Sequence, residues 1–265
     1  MTLVQIIVLA LIQGLTEFLP VSSSAHLILG GRVFGWPDQG LAFDVATHFG
    51  TLIAVLFYFR RELLAMAGSW MRPVRGEDDR QNRRLGAYLL VASAATLFIG
   101  FLAYDLVAEH LRYLRVVAWA RLGFGVLLWV ADAIGREQRP LASLDLRGAL
   151  LIGLAQACAL IPGASRSGVT ITAGRLLGLS ADAAARFSFL LSVPVIAAAG
   201  GYAFYKTLSG EAQIAWPEFL LAAALSALAG WACIAAFLAL LRRVGLLPFI
   251  VYRLGLGLLL LWLTL

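Results

Sequence analysis

The stretch from Gln13 to Leu27 reads QGLTEFLPVSSSAHL and decides how the chain must fold. It places a carboxylate, a proline, three consecutive serines and a histidine in otherwise apolar sequence. Inside a membrane each of these polar groups is costly unless it is paired or used. Because Pro20 interrupts the helical hydrogen bonding, the stretch predicts a broken helix rather than a simple membrane span.

A second stretch, from Ile161 to Thr170, has the same character and reads IPGASRSGVT. Two short patterns relate the two parts of the chain: LPxxS at Leu19–Ser23 aligns with IPxxS at Ile161–Ser165, and GRVFG at Gly31–Gly35 aligns with GRLLG at Gly174–Gly178. The alignment predicts an internal repeat of residues 1–134 and 148–265. A chance similarity between apolar segments is the alternative.

The composition is that of an integral membrane protein. The chain has 265 residues, of which 61% are hydrophobic and 14% charged, and its mean hydropathy is +0.87. Since soluble domains are about one quarter charged, residues 1–265 are expected to form a single membrane domain. The net charge of +6 comes mainly from short loops between apolar runs, which indicates orientation in a bilayer and no nucleic-acid partner.

We predict an all-α integral membrane protein with six transmembrane helices and two re-entrant helical hairpins in an inverted-topology repeat. The re-entrant hairpins occupy about residues 1–40 and 148–180, where proline, glycine and serine leave pieces too short to span. The predicted spans are Leu41–Phe59, Leu85–Val107, Arg115–Ile134, Phe187–Phe204, Phe219–Leu241 and Leu246–Leu265.

The positions of the basic residues predict the orientation. The arginine-rich loop Arg60–Arg84 is expected in the cytoplasm, and alternation then places His110 and the loop Lys206–Glu218 outside. The basic segments Arg136–Arg147 and Arg242–Arg243 lie inside only if residues 148–180 do not cross. The second hairpin should therefore enter from the cytoplasm and the first from outside.

The first hairpin has the residues of an anion site. Ser22, Ser23 and Ser24 can cap the helix after Pro20, and free amides at a helix start attract anions. Gln13 and Glu17 lie one turn apart and can face one cavity. His26 follows closely enough to exchange protons there. The alternative is that these side chains only satisfy the backbone of a turn.

The second hairpin offers groups suited to phosphate oxygens. Arg166 supplies a planar, bidentate donor, and Ser165, Ser167 and Thr170 supply hydroxyl groups. Alternatively, Arg166 forms a buried ion pair with Glu17 that joins the two hairpins. The two interpretations are compatible.

The motifs QGLTEFLPVSSSAH and PGASRSGVT resemble the signatures of the bacterial undecaprenyl-diphosphate phosphatases, the bacitracin-resistance family. FDVATHFGTLIAVLFYFR and RFSFLLSVPVIAAAG resemble that family as well, so the similarity extends over nearly the whole chain. Where the family has Glu or Gln at the first motif position, this chain has Gln13. Glu17 is therefore the only carboxylate in the motif.

The resemblance implies a hydrolase that removes the terminal phosphate of undecaprenyl diphosphate, a C55 lipid, for recycling of the cell-wall carrier. It also implies a multi-pass protein of the bacterial plasma (inner) membrane whose site faces the exterior. The catalytic residues expected are Glu17, Ser23, His26 and Arg166. The residues expected to bind the diphosphate are Gln13, Ser22, Ser24, Ser165, Ser167 and Thr170.

Several alternatives stay open at this point. Ser23 or a water molecule attacks phosphorus, with Glu17 or His26 moving protons. A divalent cation (Mg²⁺ or Ca²⁺) and a homodimer are compatible with the sequence, which fixes neither. A secondary transporter or lipid flippase would share the architecture but requires no such set of residues.

Four further polar residues lie in apolar runs. Asp44 and His48 are spaced to pair on one helix, where a structural role is favoured over a catalytic one. Arg186 flanks the phosphate site or begins its span at the surface. Arg121 is expected to snorkel or to pair with Asp105 or Asp132, and no function is assigned to it.

Overall fold

The structure, a computed structural model, describes residues 1–103, 114–135, 138–209 and 215–264. Within these ranges the chain is helical and forms no strand, only an isolated bridge between Arg139 and Leu179. The helices are α1 (Leu3–Glu17), α2 (Ser23–Phe34), α3 (Leu41–Tyr58), α4 (Arg60–Met71), α5 (Glu77–Leu102), α6 (Leu114–Ile134), α7 (Leu146–Gln156), α8 (Arg166–Leu176), α9 (Ala181–Ser209), α10 (Trp216–Val244) and α11 (Leu247–Trp262), with short 3₁₀ helices at Leu141–Ser143 and Ala157–Leu160.

Five of these helices, α3, α5, α6, α9 and α10, are long and apolar enough to cross a membrane. They coincide with or overlap five of the six predicted spans, which confirms an all-α, multi-pass membrane protein. The sixth predicted run contains α11, which has only 16 residues. Asp105, His110, Arg136 and the end of the run Leu85–Val107 lie outside the described residues.

Both polar stretches break their helices as predicted. The chain turns between α1 and α2, and again between the 3₁₀ helix after α7 and α8. Ser22 and Ser165 are the N-cap residues of α2 and α8, with φ angles of 68° and 66°. Among the described residues they are the only non-glycine residues with positive φ. The two turns therefore use one strained backbone conformation to start a new helix.

The structure shifts the predicted alignment of the two turns by one position. The starts of α1 and α7, and likewise those of α2 and α8, are 143 positions apart. Ser22 therefore corresponds to Ser165, whereas the sequence alignment pairs Ser23 with Ser165. The alignment was anchored on Pro20 and Pro162, which stand at different distances from the capping serine. In the structural register Ser23 corresponds to Arg166.

Close packing against α10 fixes the position of α1 and α3. A Cβ atom on Gly50 of α3 would lie 2.2 Å from the carbonyl oxygen of Ala223, so only glycine permits this approach. Beneath the first turn, buried Phe18 packs edge-on against Phe189 of α9, with ring centroids 5.4 Å apart. The first contact holds α3 against α10, and the second holds the end of α1 against α9.

Candidate active site

Glu17 is the centre of a polar cluster at the meeting point of the two turns. Its Oε2 accepts a hydrogen bond from Ser23 Oγ at 2.8 Å, and its Oε1 lies 3.3 Å from Arg166 Nη2. The side chains of Glu17 and Arg166 are only 9% and 13% exposed. The predicted ion pair between the hairpins is therefore present, and the serine that begins α2 contacts the same carboxylate.

Gln13 and His48 complete the surroundings of this carboxylate. Gln13, which is fully buried, donates from Nε2 to Glu17 Oε2 at 2.9 Å. The same Nε2 lies 3.3 Å from His48 Nε2, which is itself 4.0 Å from Glu17 Oε2. His48 is thus a neighbour of Glu17, a placement that the sequence interpretation missed because it favoured pairing within α3.

A cavity of about 200 Å³ lies over this cluster. It is lined by Glu17, Ser22, Ser23, Ser24, His48, Ala159, Ile161, Gly163, Ser165 and Arg166. The first turns of α2 and α8 both contribute to this lining. Ser22 makes no side-chain hydrogen bond to the start of α2, so amides at that end of the helix stay available to an anion.

Arg166 has donors to spare for such an anion. Its Nη1 donates to the carbonyl oxygen of Ser188 at 3.1 Å, which orients the guanidinium across the cavity wall. Its buried Nε has no hydrogen-bond partner among the described residues. An arginine that is already anchored and still has an unpaired donor is suited to bind phosphate oxygens.

The remaining predicted hydroxyl groups divide between the cavity and the hairpin contacts. Ser22 and Ser24 lie 3.1 Å apart (Oγ to Oγ), and Ser165 and Ser167 lie 3.2 Å apart. Ser167 is fully buried and donates to the carbonyl oxygen of Leu19 at 2.7 Å, which joins the two turns. Ser167 is outside the cavity lining, so its predicted contact with the diphosphate has no support in this arrangement.

Thr170 also lies below the site. Its hydroxyl is 2.7 Å from Ser188 Oγ and 2.9 Å from the carbonyl oxygen of Arg166. The side chain is buried between α8 and α9 and does not line the cavity. Its contacts join α8 to Ser188 of α9, and its predicted role in diphosphate binding stays a prediction.

His26 lies elsewhere than predicted. Its Nδ1 contacts the carbonyl oxygen of Ser22 at 2.7 Å, and its Nε2 contacts the hydroxyl group of Tyr252 at 2.7 Å. The side chain is not part of the cavity lining. One helical turn separates His26 from Ser22, so the imidazole folds back onto the turn. The histidine that faces the cavity is His48.

The polar cavity adjoins a larger cavity of mixed lining, which in turn adjoins an apolar one. A cavity of about 370 Å³ shares Glu17, His48 and Arg166 with it and extends along Val195, Ile196 and Gly200 of α9. A further cavity of about 440 Å³ is lined by α3, α9 and the start of α10, and its polar surface is negligible. The site therefore has a charged end and a long apolar extension, as an amphipathic ligand requires.

Comparison with known proteins matches nearly the whole chain to a family. A family model described as bacitracin resistance protein BacA covers residues 6–259. The chain belongs to the BacA family. The undecaprenyl-diphosphatase of Teredinibacter turnerae is 52% identical over 260 residues, 98% of either chain. The undecaprenyl-diphosphatase of Colwellia psychrerythraea is 51% identical over 270 residues, 99% of either chain.

In this BacA family member, a residue absent from the sequence interpretation joins the two turns. Arg253 of α11 is fully buried and donates to the carbonyl oxygens of Pro20, Gly163 and Ala164, and to that of Arg121. One guanidinium thus contacts both turns from behind the cavity. An arginine in a short apolar helix was the available signal, since an unpaired charge there needs partners.

Asp44, His48 and Arg186 make other contacts than those predicted from the sequence. The carboxylate of Asp44 accepts from Gln39 at 3.0 Å, while His48 Nδ1 contacts the main-chain oxygen of Asp44, so the predicted side-chain pair is absent. Arg186 pairs with Asp182 at 2.8 Å and Glu62 at 3.6 Å, away from the cavity.

Arg121 is fully buried in α6, and its guanidinium has no hydrogen-bond partner among the described residues. Of its two predicted partners, Asp132 pairs with Arg175 at 3.1 Å, and Asp105 lies outside the described residues. Snorkelling is wrong for this side chain, because its guanidinium is buried in the protein.

The fit of a divalent cation can be judged from the side chains present. In the described ranges no three His, Cys, Asp or Glu side chains come close enough together to hold a metal. The one carboxylate of the polar cavity is already paired with Arg166, whose positive charge disfavours a cation there. A resident metal does not fit these residues, so no chemical step is assigned to one.

Proposed function

We propose that the chain hydrolyses undecaprenyl diphosphate to undecaprenyl phosphate and inorganic phosphate. The observation on which this depends is the contact of one carboxylate, Glu17, with both the hydroxyl group of Ser23 and the guanidinium of Arg166. A nucleophile, its base and a phosphate-binding cation are thereby gathered in one cavity. The names of the relatives, undecaprenyl-diphosphatases over nearly the full length, support the same reaction.

In the first step Ser23 Oγ attacks the terminal phosphorus. Glu17 Oε2, 2.8 Å from that oxygen, accepts the hydroxyl proton as the O–P bond forms. The bond from phosphorus to the bridging oxygen breaks, and undecaprenyl phosphate leaves with the electron pair. Arg166 and the amides at the start of α2 stabilise the charge on the transferring phosphoryl group.

In the second step water hydrolyses the phosphoserine. Glu17, once it has lost the proton from the first step, accepts one from the attacking water. The P–O bond to Ser23 breaks and inorganic phosphate is released, while Ser23 Oγ takes up the proton that Glu17 has just accepted from water. Attack by Ser23 is preferred to direct attack by water because the serine is already held against its base.

The two larger cavities suit the lipid part of this substrate. The cavity of about 370 Å³ begins at Glu17, His48 and Arg166, so a diphosphate bound there directs its isoprenoid chain along α9. The cavity of about 440 Å³ shares Val45, Ile196 and Gly200 with it. Apolar side chains along this path replace the lipid environment that the chain leaves.

We further propose that the protein lies in the bacterial plasma (inner) membrane with six spans, α11 being the sixth. The pairs α1–α2 and α7–α8 are then re-entrant hairpins of an inverted repeat, residues 1–134 and 148–265. The constant offset of 143 positions and the matching capping serines support the repeat. With the arginine-rich segment 60–84 in the cytoplasm, the cavity along the later half of α9 opens to the exterior.

Purified protein in detergent or vesicles, given undecaprenyl diphosphate, tests this function by release of inorganic phosphate. We expect release that depends on Glu17, with Glu17→Gln as the inactive control of equal size. Movement of the lipid across the bilayer without phosphate release would instead identify a transporter. Absence of both activities would reject the proposed function.

A further inference from the structure

The active site has few groups that can exchange protons. In the described part of the chain, Glu17 is the only carboxylate that lines the 200 Å³ cavity. At the first position of the motif, Gln13 is an amide and binds no proton at neutral pH. The proton that Glu17 takes from Ser23 must nevertheless leave before the second step can use the same carboxylate.

His48 has the geometry to accept that proton. Its Nδ1 lies 2.8 Å from the main-chain carbonyl oxygen of Asp44, so this nitrogen must be the donor. Nε2 is then the lone-pair acceptor, and it accepts from Gln13 Nε2 at 3.3 Å. That acceptor stands 4.0 Å from Glu17 Oε2. The contact with Asp44 therefore makes Nδ1 the donor and leaves Nε2, which faces Gln13 and Glu17, as the nitrogen that can gain a proton.

His48 also has a route to water. Its side chain is 39% exposed, whereas that of Glu17 is 9% exposed. It lines both the polar cavity and the adjoining cavity of about 370 Å³. A proton held by His48 can therefore pass to solvent, which buried Glu17 reaches much less readily.

The charged groups around His48 are few. Glu17 of α1 and Arg166 of α8 lie on the side of the polar cavity, and Asp44, on the same helix, is held by Gln39. The residues that α9 adds to the shared cavity are apolar: Val195, Ile196, Ala199, Gly200 and Ala203. On α10 the neighbour of α3 at this level is Ser226, which donates to the carbonyl oxygen of Thr47.

We propose that His48 carries the proton from Glu17 to solvent in each catalytic cycle. The O–H bond of protonated Glu17 breaks and an N–H bond forms at His48 Nε2, directly or through one water. The imidazolium then releases the proton to water in the cavity, and neutral His48 is restored. This role depends on the proposed phosphatase reaction. His48 and Gln13 together then do what a second carboxylate would do at position 13, the first position of the motif.

The sign of the pH dependence follows from this role. Neutral His48 is the active form, so turnover decreases toward acidic pH as the imidazole becomes charged and no longer accepts a proton. His26 makes no such contribution, because it does not line the polar cavity and its two nitrogens contact Ser22 and Tyr252, away from Glu17.

The test compares pH profiles of kcat in His48→Gln, His26→Gln and the double variant Gln13→Glu with His48→Gln. Glutamine at position 48 can still accept a hydrogen bond from Gln13, so it preserves the contact but not the proton transfer. We expect the kcat of His48→Gln to be lower than that of wild type by about tenfold or more at neutral pH. We also expect this variant to lose the acidic limb of the profile, which is the decrease of kcat toward acidic pH. His26→Gln should keep the limb even if less protein folds.

The double variant supplies a carboxylate in place of the imidazole. A carboxylate at position 13 would adjoin Glu17. We expect the kcat of the double variant to be several-fold higher than that of His48→Gln, and the acidic limb of its profile to lie at lower pH. An unchanged limb in His48→Gln, or no gain in the double variant, would overturn the role of His48. Wild-type protein that releases no phosphate at any pH would overturn the phosphatase function itself.

Discussion

The two hairpin turns have the same backbone conformation at their capping serines but carry different side chains beside them. Each begins its second helix at a serine with φ near 67° (68° at Ser22, 66° at Ser165), and each pairs that serine with another two positions on at nearly equal distance. The residue that follows the capping serine is Ser23 in the first turn and Arg166 in the second. Equivalent positions therefore present a hydroxyl group and a guanidinium to the same carboxylate.

This difference shows how a repeated element can become an asymmetric site. In both turns the capping serine positions the first residue of the new helix. The side chain of that first residue can therefore differ between the two turns. In the proposed reaction the first turn, which follows Glu17, supplies the base and the nucleophile. The second supplies the positive charge, which offsets the cost of burying Glu17 and provides a ligand for phosphate.

The largest effect should come from Ser23→Ala. We expect loss of phosphate release on the order of 10³-fold, because removal of a nucleophile leaves only binding and electrostatic catalysis. Ser165→Ala is the control: it removes a cavity-lining serine of the second turn that corresponds to the capping residue Ser22 and not to Ser23. It removes a helix cap worth about 1 kcal/mol and should reduce activity far less. Equal losses in the two variants would show that the turns do not divide the chemistry in this way.

Arg166→Lys should have the next largest effect. A lysine keeps the charge but lacks the planar fork that contacts Glu17 and Ser188, so we expect kcat to decrease by about 10²-fold. Steady-state kinetics on undecaprenyl diphosphate measures this loss. A change in KM alone would place Arg166 in ground-state binding, contrary to its proposed part in transfer.

Arg253→Gln tests the contact that holds the two turns together. The buried guanidinium donates to carbonyl groups of both turns, and each hydrogen bond from a charged group contributes about 1.5–3 kcal/mol. We expect a lower thermal midpoint, by roughly 5–10 °C, and a partial loss of activity of about tenfold. A stable variant with full activity would show that the turns need no such link.

Thr170→Val should have the smallest effect. The valine keeps the shape of the side chain and loses the hydroxyl contacts with Ser188 and Arg166, at a cost of about 1 kcal/mol in stability. Because Thr170 does not line the cavity, we expect activity within about threefold of wild type. A loss as large as that of Arg166→Lys would return Thr170 to direct contact with the diphosphate.

Local signals were enough to predict the helix breaks and the ion pair. Pro20 and the Pro162–Gly163 pair interrupt helices in any context, and buried Glu17 and Arg166 each needed a partner of opposite charge. The five long spans followed from apolar length alone. The helix breaks and the spans depend on residues close in sequence. The ion pair depends on the high cost of burying a charge without a partner.

The remainder depended on directions in space that sequence spacing does not fix. His26 stands next to the serines in sequence yet folds back onto Ser22, whereas His48, on another helix, reaches Glu17. Arg253 stabilises the turns through carbonyl oxygens, which every residue has, so no motif marks its partners. The one-residue shift of the repeat could be recognised only from the backbone angles of the two turns, which identify the capping serines.

The central claim, that Ser23 attacks phosphorus while Glu17 and Arg166 assist, is tested most directly by the stereochemical course of the reaction. Undecaprenyl diphosphate made chiral at its terminal phosphorus with sulfur and two oxygen isotopes would be hydrolysed in water that carries the third oxygen isotope, and the configuration of the released chiral thiophosphate determined. We expect retention of configuration, because two in-line displacements, by Ser23 and then by water, invert phosphorus twice. Inversion would indicate direct attack by water and would contradict a phosphoserine at Ser23.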